Sequence, residues 1–320
     1  MLISTSEGGK SLLRAAGKTL SVLLITLLGI TVLSFGLSYL SPSDPAEILL
    51  TENGIAPSQE LLQKTREELG LNSPVYIQYW SWLTDLLQGD MGSSIKSNRP
   101  VGLELMKSLP NTLMLAVSSM LATIAVSVPL GVVCAKYQGS WFDRTIQLAN
   151  YIFISLPVFF ISLILMYVLA LKLNLLPVIS SGSGKGIIMP ALALSLNLIA
   201  VYVRQIRAIV LREMQHDYVL GLYARGVPGH TVFFVHIVRN TLTPIVTLTG
   251  ISLGTLLGGT IIVESIFNWP GVGKLAVEAI QYRDYPVIQG YVVWMAFIYF
   301  LINALIELIY LFLNPKLRKV

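Results

Sequence analysis

Residues 113–135 read LMLAVSSMLATIAVSVPLGVVCA, without a single Asp, Glu, Lys or Arg. A helix of about 20 apolar residues crosses the hydrocarbon core of a bilayer, so this run is long enough to do so. A backbone in lipid finds no water to bond with, and a spanning segment of this kind must therefore be helical. The run predicts a helix that crosses a membrane.

Five further runs share this apolar character, and Glu307 is the one charged residue in any of the six. They are residues 20–40, 146–171, 187–203, 242–263 and 287–313. The whole chain agrees, since 54% of its residues are hydrophobic and 12% are charged, where a soluble domain carries about 25% charged residues. The sequence predicts an all-α integral membrane protein with about six transmembrane helices. Pro129, Pro157, Pro190 and Pro244 lie in or beside these runs and mark candidate bends.

The first run, residues 20–40, follows Arg14 and Lys18 and so has the charge pattern of a secretory signal. Its apolar stretch is longer than the roughly 7–15 residues of a signal core, and no small-residue cleavage site follows it. We interpret the run as a retained membrane anchor.

Basic residues concentrate on one side of the predicted spans. With the N-terminus inside the cell, the cytoplasmic segments hold 13 of the 22 Lys and Arg residues and four of the 17 acidic ones. Because Lys and Arg favour the cytoplasmic side, both termini are expected there, with an outer loop at residues 41–110 and a cytoplasmic loop at residues 204–240. This bias explains the isoelectric point near 9.2, so no nucleic-acid partner is expected.

The outer loop contains two predicted helices. The first follows Ser58 as N-cap and stops at Gly70, and its apolar face comprises Leu61, Leu62, Thr65 and Leu69. The second runs from Pro74 to Gly89 and carries four aromatic residues, Tyr76, Tyr79, Trp80 and Trp82. Such residues settle at the headgroup level of a bilayer, so this helix lies flat on the outer surface or packs on a preceding helix.

The cytoplasmic loop contains a predicted helix from Asp217, as its cap, to Gly226. Pro228 and Gly229 then form a turn, and a second short helix at Thr231–Arg239 leads into the fifth span. Docking of a cytoplasmic partner would explain helices in this loop, and a solvated connector is the alternative.

No catalytic, cofactor-binding or metal-binding pattern is present. The Gly-Lys pairs at Gly184 and Gly273 lack the glycine and hydroxyl residue of a phosphate-binding loop. Residues 250–254 match G-x-S-x-G, but in the middle of a span, where small residues favour close helix packing. The single Cys134 excludes an internal disulfide and is interpreted as a buried thiol. Glu307 is the one candidate for proton coupling, so a stand-alone secondary transporter remains an alternative.

Three stretches together resemble the permeases of binding-protein-dependent ABC importers, in the branch that carries dipeptides, oligopeptides and nickel. The first runs from Leu69 to Leu83, continues through Gly89-Asp90, and is preceded by Asp44-Pro45-Ala46. The second runs from Asp217 to Gly226, followed by His236–Asn240 and Pro244. The third comprises Glu264–Gly273 and Arg283–Gln289. One departure is Leu220-Gly221-Leu222, where the family's general coupling-loop pattern begins with Glu-Ala-Ala.

The resemblance implies one permease domain over residues 1–320, with the type I ABC importer fold, in a prokaryotic cytoplasmic membrane. It implies a second homologous permease, two cytoplasmic ATPase subunits that use ATP and Mg²⁺, and an extracytoplasmic solute-binding protein; this chain itself would bind no cofactor and would not be an enzyme. The residues implied to couple to the ATPase are Asp217, Tyr218, Val219, Leu222, Tyr223, Ala224, Arg225, Gly226, Arg239 and Asn240. Candidates for docking at the outer face are Tyr76, Tyr79, Trp80, Trp82, Trp269 and Pro270.

The resemblance leaves the cargo open. The stretches Arg283–Gln289 and Gly54–Ser58 are more similar to nickel permeases than to peptide permeases, which favours nickel or a metal chelate over short peptides or another small solute. Because the binding protein selects the cargo in such systems, spans without His or Cys ligands are compatible with nickel. A membrane scaffold would not explain the pattern around Gly226.

Overall fold

The computed structural model describes residues 5–40, 44–51, 58–180 and 184–313, without the side chains of residues 5–20, 255 and 307–313. Apart from one isolated bridge between Ser93 and Pro100, the regular structure of these residues is helical. The α-helices are α1 (Thr5–Tyr39), α2 (Pro45–Thr51), α3 (Gln59–Glu68), α4 (Val75–Leu87), α5 (Val101–Lys136), α6 (Trp141–Ser155), α7 (Val158–Leu165), α8 (Ile188–Glu213), α9 (Asp217–Ala224), α10 (Gly229–Thr231), α11 (Val238–Ile266), α12 (Val272–Tyr282) and α13 (Tyr285–Leu313). π-helical turns follow α7 (Met166–Lys172) and α10 (Val232–Ile237), and a 3-10 turn (Gly184–Ile187) precedes α8.

Five helices of the described chain are long and apolar enough to cross a membrane, and α6 with α7 gives a sixth crossing if the pair is one span. Each predicted apolar run falls on one of these helices or on the α6–α7 pair. The helices extend beyond the runs, and α5 already begins at Val101, inside the predicted outer loop. Likewise, the short helix predicted at Thr231–Arg239 is continuous with α11 through a π-helical turn. Helical hydrogen bonds continue through polar residues, so hydropathy marks the membrane-length part of a helix and not its ends.

The candidate bend at Pro157 is present in the third predicted span, where α6 and α7 meet at an angle of 103°. Leu156 has an extended backbone, and Pro157 stands directly before α7. Proline has no N–H and disfavours a helical conformation at the preceding residue, so the helix breaks there. Asn197 Nδ2 of α8 donates to the carbonyls of Phe153 and Leu156 at the break, over 3.1 and 3.4 Å. A side chain thus satisfies backbone groups that lipid could not.

The helices are not broken at two other candidate bends. Pro129 lies inside α5 and Pro244 inside α11, and both helices continue past them. Glu307 belongs to α13, but its side chain lies outside the part of the chain that the structure describes.

The chain divides into two compact units, residues 1–107 with 276–301 and residues 108–275 with 302–320. In the first unit, Arg66 of α3 forms an ion pair with Asp44, with 2.6 Å between Arg66 Nε and Asp44 Oδ2. The Ser58 hydroxyl accepts from the Leu61 N–H and caps α3, and Gly70 (φ +66°) follows its end, as predicted. Of the predicted apolar face of α3, only Thr65 is buried.

In the second unit, α8 lies at the centre and packs against α6, α7 and α11. Small residues allow helices to approach closely here. A Cβ atom on Gly131 of α5 would lie 2.8 Å from the Ile206 side chain, and one on Gly250 of α11 would lie 2.4 Å from Ile306. The interpretation of the G-x-S-x-G match as a packing feature is thereby supported at Gly250.

An ion pair between the buried Asp143 and the partly buried Arg207 joins α6 to α8 in the second unit. Arg207 donates from Nε and from one terminal nitrogen to the two carboxylate oxygens of Asp143, over 2.7 Å in each case. The same carboxylate accepts from the backbone N–H of Gly139 at 2.9 Å. Cys134 is buried nearby, as predicted. The sequence placed Asp143 and Arg207 in predicted cytoplasmic segments, but it did not indicate that the two side chains form an ion pair.

Candidate functional site

The segment between α8 and α11 holds the predicted coupling helix, which the structure forms as α9. His216, with an extended backbone, stands in the N-cap position, and its side chain makes no capping hydrogen bond. Asp217 is therefore the first helical residue and not the cap, which corrects the prediction by one position. Its negative charge in the first turn still interacts favourably with the helix dipole.

Gly226 ends α9, as predicted. Its N–H donates to the Tyr223 carbonyl at 2.9 Å, and the Val227 N–H donates to the Leu222 carbonyl at 3.2 Å. This pair of bonds is a Schellman motif, which needs a left-handed residue at its turn. Gly226 has φ +76°, and a Cβ atom built on it would meet nothing within 4 Å. The requirement for glycine is therefore conformational and not steric.

The faces of α9 differ from the prediction. Val219 is 3% exposed and lies in the core of the second unit, and Leu222 packs against that core. Leu220 and Tyr223 are 68% and 49% exposed. Val219, one of the residues implied to couple to the ATPase, is therefore corrected as a contact residue, because its side chain lies in the core. Spacing placed residues 219 and 222 on one face, but could not tell that this face points into the protein.

A hydrogen-bond network at the start of α9 joins three helices. The Tyr218 hydroxyl donates to Glu213 Oε1 at the end of α8 over 2.7 Å, and Asn240 Nδ2 of α11 donates to the Tyr218 hydroxyl over 3.1 Å. Burial and the hydrogen bond to Glu213 raise the pKa of Tyr218, so the hydroxyl keeps the proton that it donates. Tyr218 and Asn240 were predicted as site residues, whereas Glu213 was missed. Arg239 and Arg225 are exposed on the same segment.

The outer-face candidates separate into exposed and packed residues. Tyr79 and Trp82 of α4 lie against Phe35 of α1, with ring centroids 5.5 and 5.8 Å away. Tyr76 and Trp80 are exposed. The packing of α4 on α1 supports the prediction that this helix packs on a preceding helix. It does not test whether α4 lies on the membrane surface.

Trp269 is corrected as a docking candidate, because it is fully buried. Its indole N–H donates to the carbonyl of Asn111 over 3.0 Å. Its neighbour Pro270 is exposed and keeps its place among the candidates.

The stretch Arg283–Gln289 holds a buried carboxylate within the first unit. Asp284 accepts from the Ser94 hydroxyl at 2.5 Å and from the Ile95 N–H at 3.1 Å. Lys96 of the same loop forms an ion pair with Glu278 at 3.1 Å. The motif residue Asp284 thus fixes the loop that precedes α5.

Among the described residues, no group of three or more His, Cys, Asp or Glu side chains is arranged to hold a metal ion. In α9, Leu220 and Tyr223 are exposed, and Val219 on the opposite face lies in the core formed with residues of α8 and of the turn before α11.

Residues 127–319 match the family model described as "Binding-protein-dependent transport system inner membrane component", and residues 12–116 match the model of the N-terminal part of such membrane components. The chain belongs to this family. The binding-protein-dependent permeases are inner-membrane components, so this chain is a multi-pass membrane protein and the permease of an ABC importer. Both the resemblance and the all-α permease fold predicted from the sequence are confirmed.

Relatives of this permease are named for two cargoes. The nickel import system permease protein NikB of Staphylococcus aureus (strain USA300) is 36% identical, over 92% of this chain and 89% of its own length. The dipeptide transport system permease protein DppB of Alkalihalophilus pseudofirmus is 33% identical, over 96% of this chain and 100% of its own. A solved structure of the inward-facing methionine ABC transporter MetNI is 17% identical, with a TM-score of 0.54 over 64% of this chain and 94% of that chain. That likeness concerns the fold alone.

Proposed function

We propose that this permease moves nickel or a nickel chelate into the cell by ATP-driven alternating access. The observation that carries the proposal is its 36% identity to a nickel import permease along 92% of the chain. The second candidate cargo is a di- or oligopeptide, favoured by the dipeptide permease that aligns over its whole length. In either case the chain is the pore-forming subunit, with both termini in the cytoplasm.

The proposed complex contains a second homologous permease, two ATPase subunits that bind ATP and Mg²⁺, and a solute-binding protein outside the membrane. This chain binds no cofactor and hydrolyses nothing, and its hydrophobic helices contact membrane lipid. The family description, with its dependence on a binding protein, supports this composition.

The exposed face of α9 docks in a groove of one ATPase. Leu220 and Tyr223 stand on that face, and an apolar helix face in a groove is a common mode of recognition. Val219 lies on the opposite face, in one core cluster with Val210 of α8 and Val232 of the π-helical turn before α11. Because close-packed side chains transmit displacement, a push on α9 moves the ends of α8 and α11 together.

Transport by the reconstituted complex tests the cargo. Proteoliposomes would contain both permeases and both ATPases, with ATP inside and the binding protein outside, and take up radioactive nickel or a radioactive dipeptide. We expect saturable nickel uptake that needs ATP and that excess unlabelled dipeptide does not reduce. Dipeptide uptake without nickel uptake would assign the peptide cargo instead.

The energy source needs its own controls. Uptake driven by a proton gradient without ATP would contradict the importer mechanism and favour a secondary transporter that uses Glu307. The purified chain alone should hydrolyse no ATP, because its sequence has no phosphate-binding loop. ATP hydrolysis by a preparation shown to lack the ATPase subunits would contradict the assignment of that activity to partners.

A further inference from the structure

Glu264, at the end of α11, is fully buried in the second unit. Its Oε1 accepts from the Thr112 hydroxyl of α5 at 2.7 Å, and its Oε2 accepts from the Lys274 N–H at 3.0 Å. The Thr112 hydroxyl in turn accepts from the Val272 N–H at 2.9 Å. One carboxylate and one hydroxyl thus bind two backbone N–H groups in the first turn of α12. These groups would otherwise lack a partner at the start of a helix.

Two glycines leave the space that this carboxylate occupies. A Cβ atom on Gly271 would lie 2.4 Å from the carboxyl carbon of Glu264, and one on Gly273 would lie 2.8 Å from Oε2. Neither distance is compatible with a side chain. The glycine at 271 therefore follows from the position of the glutamate, whereas a Cβ atom on Gly273 would also lie 2.7 Å from the Ile261 Cα atom of α11.

A reciprocal pair of bonds closes the same loop on α5. Trp269 Nε1 donates to the carbonyl of Asn111 at 3.0 Å, and Asn111 Nδ2 donates to the carbonyl of Pro270 at 2.8 Å. These two bonds attach the loop between α11 and α12 to α5. In each of them a side-chain N–H donates to a backbone carbonyl. The donors around Glu264 are a hydroxyl and amides, so the carboxylate serves the fold and is not arranged as a ligand for a cation.

We propose that Glu264 is a positioning residue that joins the end of α11, the first turn of α12 and the adjacent turn of α5 into one body that moves as a unit during transport. Separating these parts would leave a buried carboxylate and several N–H groups unpaired, which is costly in a low-dielectric interior. The rearrangement between inward-facing and outward-facing states is therefore confined to other contacts. This inference rests on the proposed alternating-access function.

Cross-linking tests whether the body stays intact. Asn111→Cys and Pro270→Cys would be combined with Cys134→Ala, and the half-buried residue 111 and the exposed residue 270 would be joined by a short bifunctional thiol reagent in the reconstituted complex. We expect the same yield without nucleotide and with ATP trapped on the ATPases, and ATP-driven uptake that survives the cross-link. A yield that depends on the nucleotide, or loss of uptake on cross-linking alone, would overturn the proposal. The uptake of the complex without cross-linker separately reports whether the importer function is correct.

Variants of Glu264 test the role of the carboxylate. In the Glu264→Gln variant we expect uptake per ATP hydrolysed to fall by about tenfold, because one of the two oxygens that accept hydrogen bonds is replaced by an NH₂ group that can only donate. The cross-link yield should then depend on nucleotide. Unchanged uptake and an unchanged, nucleotide-independent yield would count against Glu264.

If the Glu264→Gln variant assembles poorly, a double-mutant comparison tests the role of Glu264 instead. Gly271→Ala places a methyl group against the carboxylate, so alone it should impair uptake. In a Glu264→Ala background it should add little further loss, since the group that it displaces is gone. Equal losses from Gly271→Ala in both backgrounds would show that the glycine does not act through Glu264.

Discussion

At Gly226 the backbone is left-handed while the space around the Cα atom is open. A β-branched residue there resists the left-handed conformation by roughly 1–2 kcal/mol or more. That penalty acts on the Schellman motif which sets the end of α9. The effect should therefore concern the position of α9, the proposed docking helix, and not the folding of the membrane helices.

In the Gly226→Val variant we expect normal membrane insertion and expression, with a sharp and parallel loss of uptake and of ATPase stimulation by loaded binding protein. Both activities would be measured side by side in the assembled complex. Gly70→Val is the matched control, because Gly70 is equally open and left-handed (φ +66°) but ends a helix in another loop. Normal values for both activities in Gly226→Val would remove the support for a coupling role.

The ion pair between Asp143 and Arg207 gives a second prediction at this scale. Arg207→Leu leaves the Asp143 carboxylate buried without its bidentate partner, so we expect a loss of about 3 kcal/mol in stability. The double variant Asp143→Leu/Arg207→Leu should lose less than the single one, since no charge is left unpaired. Cys134 is the sole cysteine and is buried, so its labelling by a thiol-reactive dye on heating measures unfolding. Equal stability of wild type and Arg207→Leu would contradict a stabilising role.

Among the elements, α9 shows what a sequence pattern can and cannot give. Its existence, its stop at Gly226 and its apolar residues were predictable, because capping and turn chemistry are local. Which apolar face points inward was not, since that depends on the core formed with Val210 and Val232 of other helices. The same limit applies to the bend at Pro157, whose position was predictable and whose angle was not. The contacts of Glu264 and Arg207 join residues far apart in the chain and left no local signal.

The two faces of α9 should respond differently to substitution. Leu220→Glu, on the exposed face, is expected to leave the stability of the subunit unchanged and to reduce the amount of ATPase that copurifies with it. Val219→Ala, on the buried face, is expected to lower stability by about 2 kcal/mol through lost burial and a small cavity. Copurification and dye-detected unfolding measure the two effects. If Leu220→Glu retained the ATPase fully, the exposed face would not be the docking face.

On the scale of the whole molecule, the orientation in the membrane is predicted from charge alone. The predicted cytoplasmic segments hold 13 of the 22 basic residues, and such a bias sets the direction of insertion. The apolar runs similarly predicted the number of crossings, because the bilayer fixes the length that each must have.

Cysteine labelling in intact cells tests this orientation. In a background with Cys134 replaced, Ser58→Cys should react with an impermeant reagent applied outside, and so should Ser183→Cys, which lies outside the described residues. Gly229→Cys should react only after the membrane is permeabilised. Labelling of Gly229→Cys in intact cells would contradict the predicted topology.

The break between α6 and α7 has a consequence for the history of these sequences. Asn197 is required where it stands because Pro157 has opened the backbone that Asn197 binds. A lineage that straightened this span by replacing the proline would release residue 197 to become apolar, and a lineage that lost the asparagine first would expose carbonyls to lipid. We expect positions 157 and 197 to covary among the binding-protein-dependent permeases, with the proline lost before the asparagine.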